Sequence, residues 1–542
     1  MALLRCLGHA RTMGDLRFRI ASITSADGQT VVLPQKGVTC IVGGNNVGKS
    51  RLIRDLHTKI HGSSSTYEEV VTISALDLHE DAYSKEELKS WIESKFERNE
   101  YNQYTSWGQT SRDWSALNML AISGTGLSGW ADYVVRRVGA SESTSFASAE
   151  YSPHGGNWGP GRKLHLDGTI TKKLSQLSLD YFGSGLTYDR VNLNPRLRFG
   201  LVDPSITVPL IDSPTPEHTA ATLALPPLES QGDGVKAFMG IVLRLLTDPA
   251  QVFLFDEPET FLHPAQARAL GGLVARIAQE RDLQILMATH SKDLVLGILQ
   301  ETAGTEATFV RISRPEGKTR FATLDATGVD EAWSDPTLRY SNVLDGLFHQ
   351  TVVVCEGDAD CRFFSAALDE HAARLGRRYG ASEVMFIPTG GKQNMQKPVS
   401  ALRRLDVEVK VIADFDLVNE RSEVRALVEA VGGIWGTEMH TNYGIFRGWL
   451  RNNISDWEVV KHGGTSVIRD NASTIAADAF LAELALLGIY ILRVGEMEDF
   501  NRAVESKKAA PWVSAAIAAN VHRDNRDVQD LMAQMFPWDA KE

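Results

Sequence analysis

Cysteine and long apolar runs are both scarce in this chain of 542 residues. The four cysteines, Cys6, Cys40, Cys355 and Cys361, are too few and too scattered for a disulfide framework or a zinc site. Their scarcity favours a cytoplasmic protein. No apolar run approaches the roughly 18 residues that a membrane-spanning helix needs, so we expect no membrane association.

Positive charge is also in deficit. The 56 Lys and Arg residues against 68 Asp and Glu residues give a net charge of −12 at pH 7. This excludes a histone-like polycation, so any contact with nucleic acid must use a local basic surface or metal ions that offset the acids. The composition, with 43% hydrophobic and 23% charged residues, is typical of globular proteins. At this length at least two cores are expected.

Two series of strands and helices follow one another along the chain. Apolar strands such as VTCIV, QVFLF and QILMA alternate with helices in the first series, and TVVVC, EVMFI and VKVIA do so in the second. This alternation predicts an α/β protein with parallel sheets. A polar stretch before the second series predicts domains at residues 1–345 and 346–542. Within the first domain, we expect a helical and irregular insertion at about residues 84–200, beginning with an amphipathic helix capped by Ser84 and Glu87.

A glycine-rich loop follows the strand VTCIV. GGNNVGKS, from Gly43 to Ser50, fits the phosphate-binding pattern G-x-x-x-x-G-K-[ST] between a strand and a helix. Its backbone N–H groups would hold phosphates, Lys49 would neutralise them, and Ser50 would hold Mg²⁺. The predicted nucleotide-binding residues of this segment are Gly43, Asn45, Asn46, Gly48, Lys49, Ser50 and Arg51.

Two further segments complete a nucleotide site. QVFLFDEPETFLHP places Asp256 and Glu257 at the end of an apolar strand, where α/β sheets bind ligands. Asp256 suits the Mg²⁺ shell, and Glu257 suits the general base that activates water. His290, after the strand QILMA, is positioned to sense the γ-phosphate.

A helix opening supplies a second candidate anion site. In SQGDGVKAF, Ser230, Gly232 and Gly234 stand at the start of a helix, where backbone N–H groups can bind an anion.

Together and in this order, these motifs resemble the ABC-type ATPase head of the SMC/RecF-like group, over roughly Arg17 to Ile312. The resemblance implies ATP as cofactor and a head-to-tail homodimer, in which Ser230, Gly232 and Gly234 contact the ATP held by the partner. The sequence departs from the group at its signature, where Asp233 and Lys236 are unusual. No glutamine is assigned to the Q-loop.

The second series carries clustered acids at strand ends. Glu356 follows the strand TVVVC, with Asp360 a helical turn later, and Asp414 and Asp416 follow VKVIA. Carboxylates from neighbouring parallel strands meet at one sheet edge, where they would repel one another unless a cation is bound. Mg²⁺ suits such oxygen ligands, and two ions about 4 Å apart would support phosphodiester cleavage.

This pattern resembles a Rossmann-like TOPRIM domain. An ABC-type head followed by a TOPRIM domain is similar to the overcoming-lysogenization-defect (OLD) family of nucleases. That resemblance implies that Glu496 and Glu498 add metal ligands and that a lysine, Lys507 or its neighbour Lys508, joins the site. Of the two we select Lys507. It also implies an ATP-regulated, Mg²⁺- or Mn²⁺-dependent endonuclease, with DNA the favoured substrate, often serving defence against phage and mobile DNA.

Three alternatives stay open. The same metal centre would serve a tRNA-cleaving enzyme, as in PARIS-type defence, with or without a partner protein. A non-cleaving ATP-gated clamp or sensor would use the acids as a scaffold. A topoisomerase-like enzyme would need a nucleophilic tyrosine near the acids, for which Tyr443 and Tyr490 are the nearest by sequence.

Overall fold

A computed structural model provides the structure of the chain. The residues that it describes are 18–61, 71–78, 90, 91, 93, 94, 96, 98, 101–105, 111–112, 131–148, 160–191, 195–206, 215–302, 307–314, 317–324, 342–377 and 381–539. The chain divides into two compact units, and the main division falls between Ala326 and Thr327. Each unit is described by itself below.

The first unit is organised around one mixed sheet. In spatial order its described strands are β13 (Arg320–Leu324), β12 (Ala307–Ser313), β3 (Gly37–Val42), β11 (Gln284–Ala288), β10 (Val252–Asp256) and β7 (Val135–Val138). All neighbouring strands are parallel except the antiparallel pair β12 and β13. Every residue of β3 and β11 is buried, as expected for central strands of a parallel sheet that is covered on both faces.

Smaller antiparallel pairings accompany this sheet. They are β1 (Ile20–Ser25) with β2 (Thr30–Val32) and β4 (Ile73–Leu78), β5 (Tyr104–Thr105) with β6 (Ser111–Arg112), and β8 (Leu186–Asp189) with β9 (Arg196–Phe199). A core cluster that includes Ile20, Leu52, Leu254 and Leu286 joins β1, the first helix and the central strands.

Helices connect and flank these strands. They are α1 (Lys49–His61), α2 (Ala131–Val134), α3 (Ala140–Ser148), α4 (Pro160–Leu166), α5 (Gly168–Phe182), α6 (Pro216–Ala224), α7 (Asp233–Thr247), α8 (Pro264–Glu280) and α9 (Lys292–Thr302). Local signals set their starts: α8 begins with a proline at its first turn, and the His263 N–H donates to the Gln266 side chain at 3.1 Å, which satisfies a free helix-end donor.

Part of the range 84–200, which we predicted to be an insertion, belongs to the central sheet of the first unit. Strand β7, whose sequence is VRRV, pairs in parallel with β10 inside the central sheet. A four-residue strand with two arginines lacks the apolar run that marks a buried strand, so its pattern did not reveal it. The predicted capping pair Ser84 and Glu87 lies outside the described residues, whereas Trp91 and Phe96 of the same segment are buried.

The second unit contains a four-stranded parallel sheet in its described part. Its spatial order is β15 (Val384–Pro388), β14 (Thr351–Cys355), β16 (Glu408–Ala413) and β17 (Ile489–Ile491). The helices are α10 (Asp358–Arg374), α11 (Gln396–Arg404), α12 (Arg421–Ala430), α13 (Thr437–Asn453), α14 (Trp457–Gly463), α15 (Asn471–Leu486), α16 (Ala510–Ala518), α17 (Val521–Asp524) and α18 (Arg526–Met535). Short 3₁₀ turns at Phe415–Asn419 and Met497–Phe500 follow β16 and β17.

The core of the second unit packs α10 and the C-terminal helices on the sheet. Phe363 and Phe364 of α10 lie fully buried with Trp512 and Met532. Within the described ranges, no helix combines the length and the apolar character that crossing a bilayer demands.

Candidate functional site

The glycine-rich loop connects β3 to α1. Gly43, Asn46 and Gly48 have φ angles of 147°, 59° and 102°, in a region that residues with a side chain rarely adopt. Turns of this kind point successive backbone N–H groups into one concavity, which suits a phosphate. Because α1 begins immediately afterwards, at Lys49, the partial positive charge of its N-terminus is added to the same place.

Lys49 and Ser50 lie beside the acids that end β10. The Lys49 side chain is buried, and burial lowers the pKa of its ammonium group while the carboxylates of Glu257, Glu259 and Asp256 raise it. The Ser50 hydroxyl is hydrogen-bonded to the Asp256 carboxylate. The structure therefore brings the predicted lysine, serine and strand-end acids together.

Asp256 is the last residue of β10. Burial raises the pKa of its carboxyl group, and the hydrogen bond from Ser50 lowers it. Its Oδ1 atom is buried and has no hydrogen-bond partner among the described residues. Since Mg²⁺ prefers such oxygen donors, Ser50 and Asp256 fit the magnesium ion of an Mg²⁺–ATP complex.

Glu257 and His290 face one another in the same site. Glu257 adopts a φ of 50°, a backbone conformation that costs a non-glycine residue about 1–3 kcal/mol. Its N–H donates to the carbonyl of Ala288 at 2.9 Å, which fixes the turn. His290 Nδ1 lies 3.3 Å from Glu257 Oε1 and 3.2 Å from Glu259 Oε1, so one ring nitrogen serves both carboxylates.

Glu259 is a site residue that sequence reasoning missed. Its carboxylate is buried and accepts hydrogen bonds from Thr289 Oγ1 at 2.7 Å and from the His290 N–H at 2.9 Å. Burial raises its pKa, while these two hydrogen bonds lower it. The sequence offered one signal, since Glu259 is the third acid of DEPET. Its role, however, depends on a contact with Thr289, which lies 30 residues further along the chain.

Other predicted nucleotide-site residues are placed elsewhere in the first unit. Arg51 Nε pairs with Asp55 Oδ1 at 2.8 Å along α1. Ser230 ends a 3₁₀ turn, and its hydroxyl donates to the Pro227 carbonyl at 2.7 Å. Gly232 caps α7, as predicted, and Gly234 lies in its first turn.

A pocket of about 630 Å³ lies beside Asp256. Arg137 of β7, Asp233 of α7 and Phe261 line it. Arg137 is exposed at this sheet edge, and its charge, like that of Arg54, lowers the pKa of Asp256. Sequence reasoning missed Arg137 because the strand that carries it was not identified.

The acids of the second unit meet at the carboxyl edge of the parallel sheet. Glu356 directly follows β14 and Asp414 directly follows β16, and these two strands are paired neighbours. The Asp414 N–H donates to Glu356 Oε1 at 3.1 Å. Residues 58 positions apart are thus in contact, as the strand-end argument predicts.

These carboxyl groups raise one another's pKa. Burial is the largest cause of the raised pKa at Glu356, Asp360 and Asp414. At Glu356, repulsion from Asp416 and Asp360 raises the pKa further. At Asp414, repulsion from Glu356, Asp360 and Glu496 has the same effect. The pKa of Asp360 rises to about 6, by burial first and then by repulsion from Glu498 and Glu496, although the Gly357 N–H opposes this rise.

Asp416 carries an atom that is free to bind a ligand. Its Oδ2 pairs with Lys392 Nζ at 2.8 Å, whereas its Oδ1 is buried without a hydrogen-bond partner in the described chain. Carboxylate oxygens that are buried, mutually repulsive and partly unbonded fit a divalent metal such as Mg²⁺ or Mn²⁺. Glu356, Asp360, Asp414 and Asp416 are the residues that would hold it.

Glu496 and Glu498 join the acids from the far end of the chain. Glu496 is buried and accepts from Lys461 Nζ at 2.7 Å and Lys508 Nζ at 2.5 Å. Burial raises its pKa, but the two lysines lower it to a net value below the ordinary one. Glu498 Oε1 accepts from the Ala509 N–H at 2.8 Å.

Of the two lysines considered for this site, Lys508 is the one that contacts Glu496, and the selection of Lys507 stays a prediction. Adjacent lysines in a turn cannot be told apart by sequence pattern alone. Sequence reasoning missed His462, which lies beside Glu496 and Asp499; ligand atoms of these three residues lie within 4.8 Å of one another. The His462 Nδ1 and Asp499 Oδ2 atoms are 3.2 Å apart.

The two tyrosines considered for a strand-passage enzyme are both buried. The Tyr443 hydroxyl donates to the Val418 carbonyl at 2.9 Å, and burial raises the pKa of Tyr443 and of Tyr490. Buried phenols that resist ionisation are poorly suited to act as nucleophiles.

Two family models match the chain. Residues 223–297 match the model described as "AAA domain, putative AbiEii toxin, Type IV TA system". Residues 347–416 match "Overcoming lysogenization defect protein-like, TOPRIM domain". The predicted combination of an ATPase domain with an OLD-like TOPRIM domain, and the predicted α/β fold class, are thereby confirmed.

Solved structures of SMC heads are also similar to this chain. An SMC head bound to the C-winged helix domain of ScpA has 12% identity and a TM-score of 0.36, with 57% of this chain and 99% of that one covered. The SMC head domain from Thermotoga maritima has 13% identity and a TM-score of 0.31, with 56% of this chain and 97% of that one covered. An SMC head domain from Pyrococcus furiosus has 11% identity and a TM-score of 0.33, with 58% of this chain and 98% of that one covered. At these scores no functional conclusion follows. No curated protein matches the chain.

Proposed function

We propose that this chain, which joins an AAA-type ATPase domain to an OLD-like TOPRIM domain, is an ATP-regulated, divalent-metal-dependent endonuclease. The TOPRIM domain would cleave phosphodiester bonds, with DNA the favoured substrate. The descriptions of the two matching models, which refer to an AbiEii toxin and to an overcoming-lysogenization-defect protein, support a role in defence against phage or mobile DNA.

One observation carries the nuclease proposal. Glu356 and Asp414 come from separate strands and meet through the Asp414 N–H at 3.1 Å, and the charges of Asp360, Asp416 and Glu496 act on them. A sheet edge that holds so many carboxylates is unfavourable without cations. Such an arrangement is expected where metal binding, rather than stability, has determined the residues.

The side chains divide the chemical work. Glu356, Asp360, Asp414 and Asp416 would bind and orient the metal, and Lys392 would keep Asp416 in place through their 2.8 Å ion pair. Bound divalent cations would supply charge stabilisation to the attacking and leaving oxygens of the phosphodiester.

The ATPase domain would bind and hydrolyse ATP. The loop from Gly43 to Ser50 would hold the phosphates, Glu257 would act as general base, and His290 would report the γ-phosphate through its contact with Glu257. We propose a homodimer in which Ser230 and the glycines of the α7 opening contact the nucleotide of the partner subunit. The nucleotide state of these heads would regulate the access of nucleic acid to the acidic centre.

The nuclease assignment is tested by replacing Asp414 with Asn, which keeps the shape and removes the charge. We expect Mg²⁺- or Mn²⁺-dependent cleavage to fall to the level of the metal-free protein, while ATP hydrolysis remains. Asp358→Asn is the matched control, because Asp358 is exposed on α10 and pairs with Arg362. Cleavage that survives in Asp414→Asn would move the chemistry to another site.

The substrate is tested by a cleavage panel of plasmid, linear DNA and tRNA, with and without ATP, in Mg²⁺ and in Mn²⁺. We expect cleavage of DNA. Cleavage of tRNA alone would make the protein an RNase with the same metal centre. A wild-type protein that hydrolyses ATP and binds DNA, but cuts none of these substrates, would support the clamp or sensor instead.

A further inference from the structure

Helix α14 (Trp457–Gly463) ends against the turn that precedes Glu496. Gly495 has a φ of 121°, and a Cβ atom at this position would lie 2.4 Å from the Lys461 carbonyl oxygen. Only glycine therefore permits the two backbones to approach this closely. Arg502 connects the same elements, since its guanidinium donates to the His462 carbonyl and also to Asp499 Oδ1 at 2.9 Å.

Because of this packing, the side chains of Lys461 and Lys508 both contact the Glu496 carboxylate. Lys461 Nζ lies 2.7 Å from Glu496 Oε1, and Lys508 Nζ lies 2.5 Å from Glu496 Oε2. The Glu496 side chain is 9% exposed, whereas those of Lys461 and Lys508 are 26% and 58% exposed. The carboxylate is thus the buried partner of two ammonium groups that reach solvent.

The two lysines occupy the border of the acidic centre. The Phe415 N–H donates to the Gly495 carbonyl at 2.9 Å, which joins the turn that carries Glu496 to the residue between Asp414 and Asp416. In agreement with this contact, the charge of Glu496 raises the pKa of Asp360 and of Asp414. A polyanion that approaches these acids needs fixed positive charge nearby. An ammonium group has three N–H donors. Among the described residues the ion-pair partner of each lysine is Glu496, and the further donors of each ammonium group suit phosphate oxygens.

We propose that Lys461 and Lys508 form a clamp that binds a backbone phosphate of the nucleic acid beside the metal centre. Lys461, on a helix far from any recognised motif, is the new member of the site. Glu496 is then a positioning residue, which orients the two ammonium groups. This inference rests on the proposed nuclease function and identifies part of its substrate contact.

A competing role exists for the same carboxylate. Glu496, His462 and Asp499 have ligand atoms within 4.8 Å, which would suit a metal ion. Both Glu496 oxygens, however, already bind ammonium groups, and a cation placed there would meet two like charges at short range. The contacts therefore favour phosphate, which the lysines attract, over metal, which they repel.

The clamp is tested by binding of the full-length protein to a labelled oligonucleotide, with Ca²⁺ in place of Mg²⁺ and over a salt series. We expect Lys461→Ala to weaken binding about tenfold and to reduce the slope of log affinity against log salt by about 1, as loss of one phosphate contact does. Lys461→Arg, which keeps the charge, should restore most of the affinity. Arg425→Ala is the control, since Arg425 is exposed on α12 and pairs with Glu429.

Two outcomes would overturn the lysine clamp alone. One is a Lys461→Ala protein with wild-type affinity and salt slope, which would leave the proposed nuclease intact. The other is a Glu496→Gln protein that loses Mn²⁺ binding, measured by calorimetry without nucleic acid, which would make Glu496 a metal ligand. Failure of the wild-type protein to bind any nucleic acid would instead remove the proposed function and the clamp together.

Discussion

The nucleotide site and the acidic centre are built on the same plan with opposite charge. Each gathers its residues at the carboxyl ends of parallel strands. The nucleotide site presents backbone N–H groups, a helix N-terminus and the buried Lys49, all of which attract an anion. The acidic centre presents Glu356, Asp360, Asp414 and Asp416, which repel one another and attract a cation.

The two sites differ in the charge interactions that remain within each of them when no ligand is bound. At the nucleotide site the carboxylates of Asp256, Glu257 and Glu259 raise the pKa of Lys49, so the acids and the buried cation attract one another inside the protein. At the acidic centre Lys392 pairs with Asp416, and the pKa values of Glu356 and Asp414 remain raised. The acidic centre is therefore the more dependent on its ligand, and its protonation should vary more with pH.

The largest effect that we expect on one site alone comes from Glu257→Gln. Loss of the general base should reduce ATP hydrolysis about 10²–10⁴-fold, with ATP still bound. Mn²⁺ binding, measured by calorimetry, should be unchanged at the acidic centre. Glu280→Gln is the control, because Glu280 is exposed and pairs with Lys173. Wild-type turnover in Glu257→Gln would show that another group activates water.

Much of both sites follows from sequence because their residues end apolar strands. Gly43–Ser50 is contiguous. Glu356 follows a strand whose five residues are all buried, and Asp414 follows a strand whose last three residues are buried. Neighbouring strand ends must meet at one edge of a parallel sheet. The pattern therefore predicted contacts between residues that are far apart along the chain.

The remainder depends on contacts that no local pattern encodes. Glu259 is significant because Thr289 and His290 hydrogen-bond to it, and Lys508 is distinguished from Lys507 only by its contact with Glu496. Lys461 reaches the same carboxylate because Gly495 permits a close approach of the backbones. These residues lie in turns and short helices, where side-chain direction is set by tertiary packing.

A smaller effect should follow from changing Glu259. Glu259→Ala removes the acceptor for the Thr289 hydroxyl and the His290 N–H, and an unsatisfied buried group costs about 1–3 kcal/mol. We expect ATP hydrolysis to fall about tenfold, since His290 is displaced but Glu257 remains. Glu259→Gln retains an acceptor oxygen and should lie closer to wild type in the same steady-state assay. Equal activity of Glu259→Ala and wild type would exclude the role in orienting His290.

The smallest effect, a shift in unfolding temperature, tests the charge difference between the sites directly. Carboxyl groups with a raised pKa bind more protons in the folded state, so their contribution to stability falls as pH rises above about 4, where they ionise in the unfolded chain. For Asp360 this loss of stability extends through a pH of about 6, which is the pKa of its carboxyl group in the folded protein. For Glu356 and Asp414, whose pKa values are also raised, the loss extends to higher pH.

We therefore expect Asp414→Asn to raise the melting temperature of the metal-free protein by several degrees at pH 8 and by less at pH 5. One pKa unit corresponds to about 1.4 kcal/mol, and 1 kcal/mol to about 2–4 °C in a unit of 150–250 residues. Mn²⁺ should stabilise the wild type more at pH 8 than at pH 5 and should have little effect on Asp414→Asn. Differential scanning calorimetry at both pH values, with Asp358→Asn as control, measures these shifts. If Asp414→Asn were the less stable protein at pH 8 without metal, the acidic centre would not be repulsive, and the contrast between the two sites would fail.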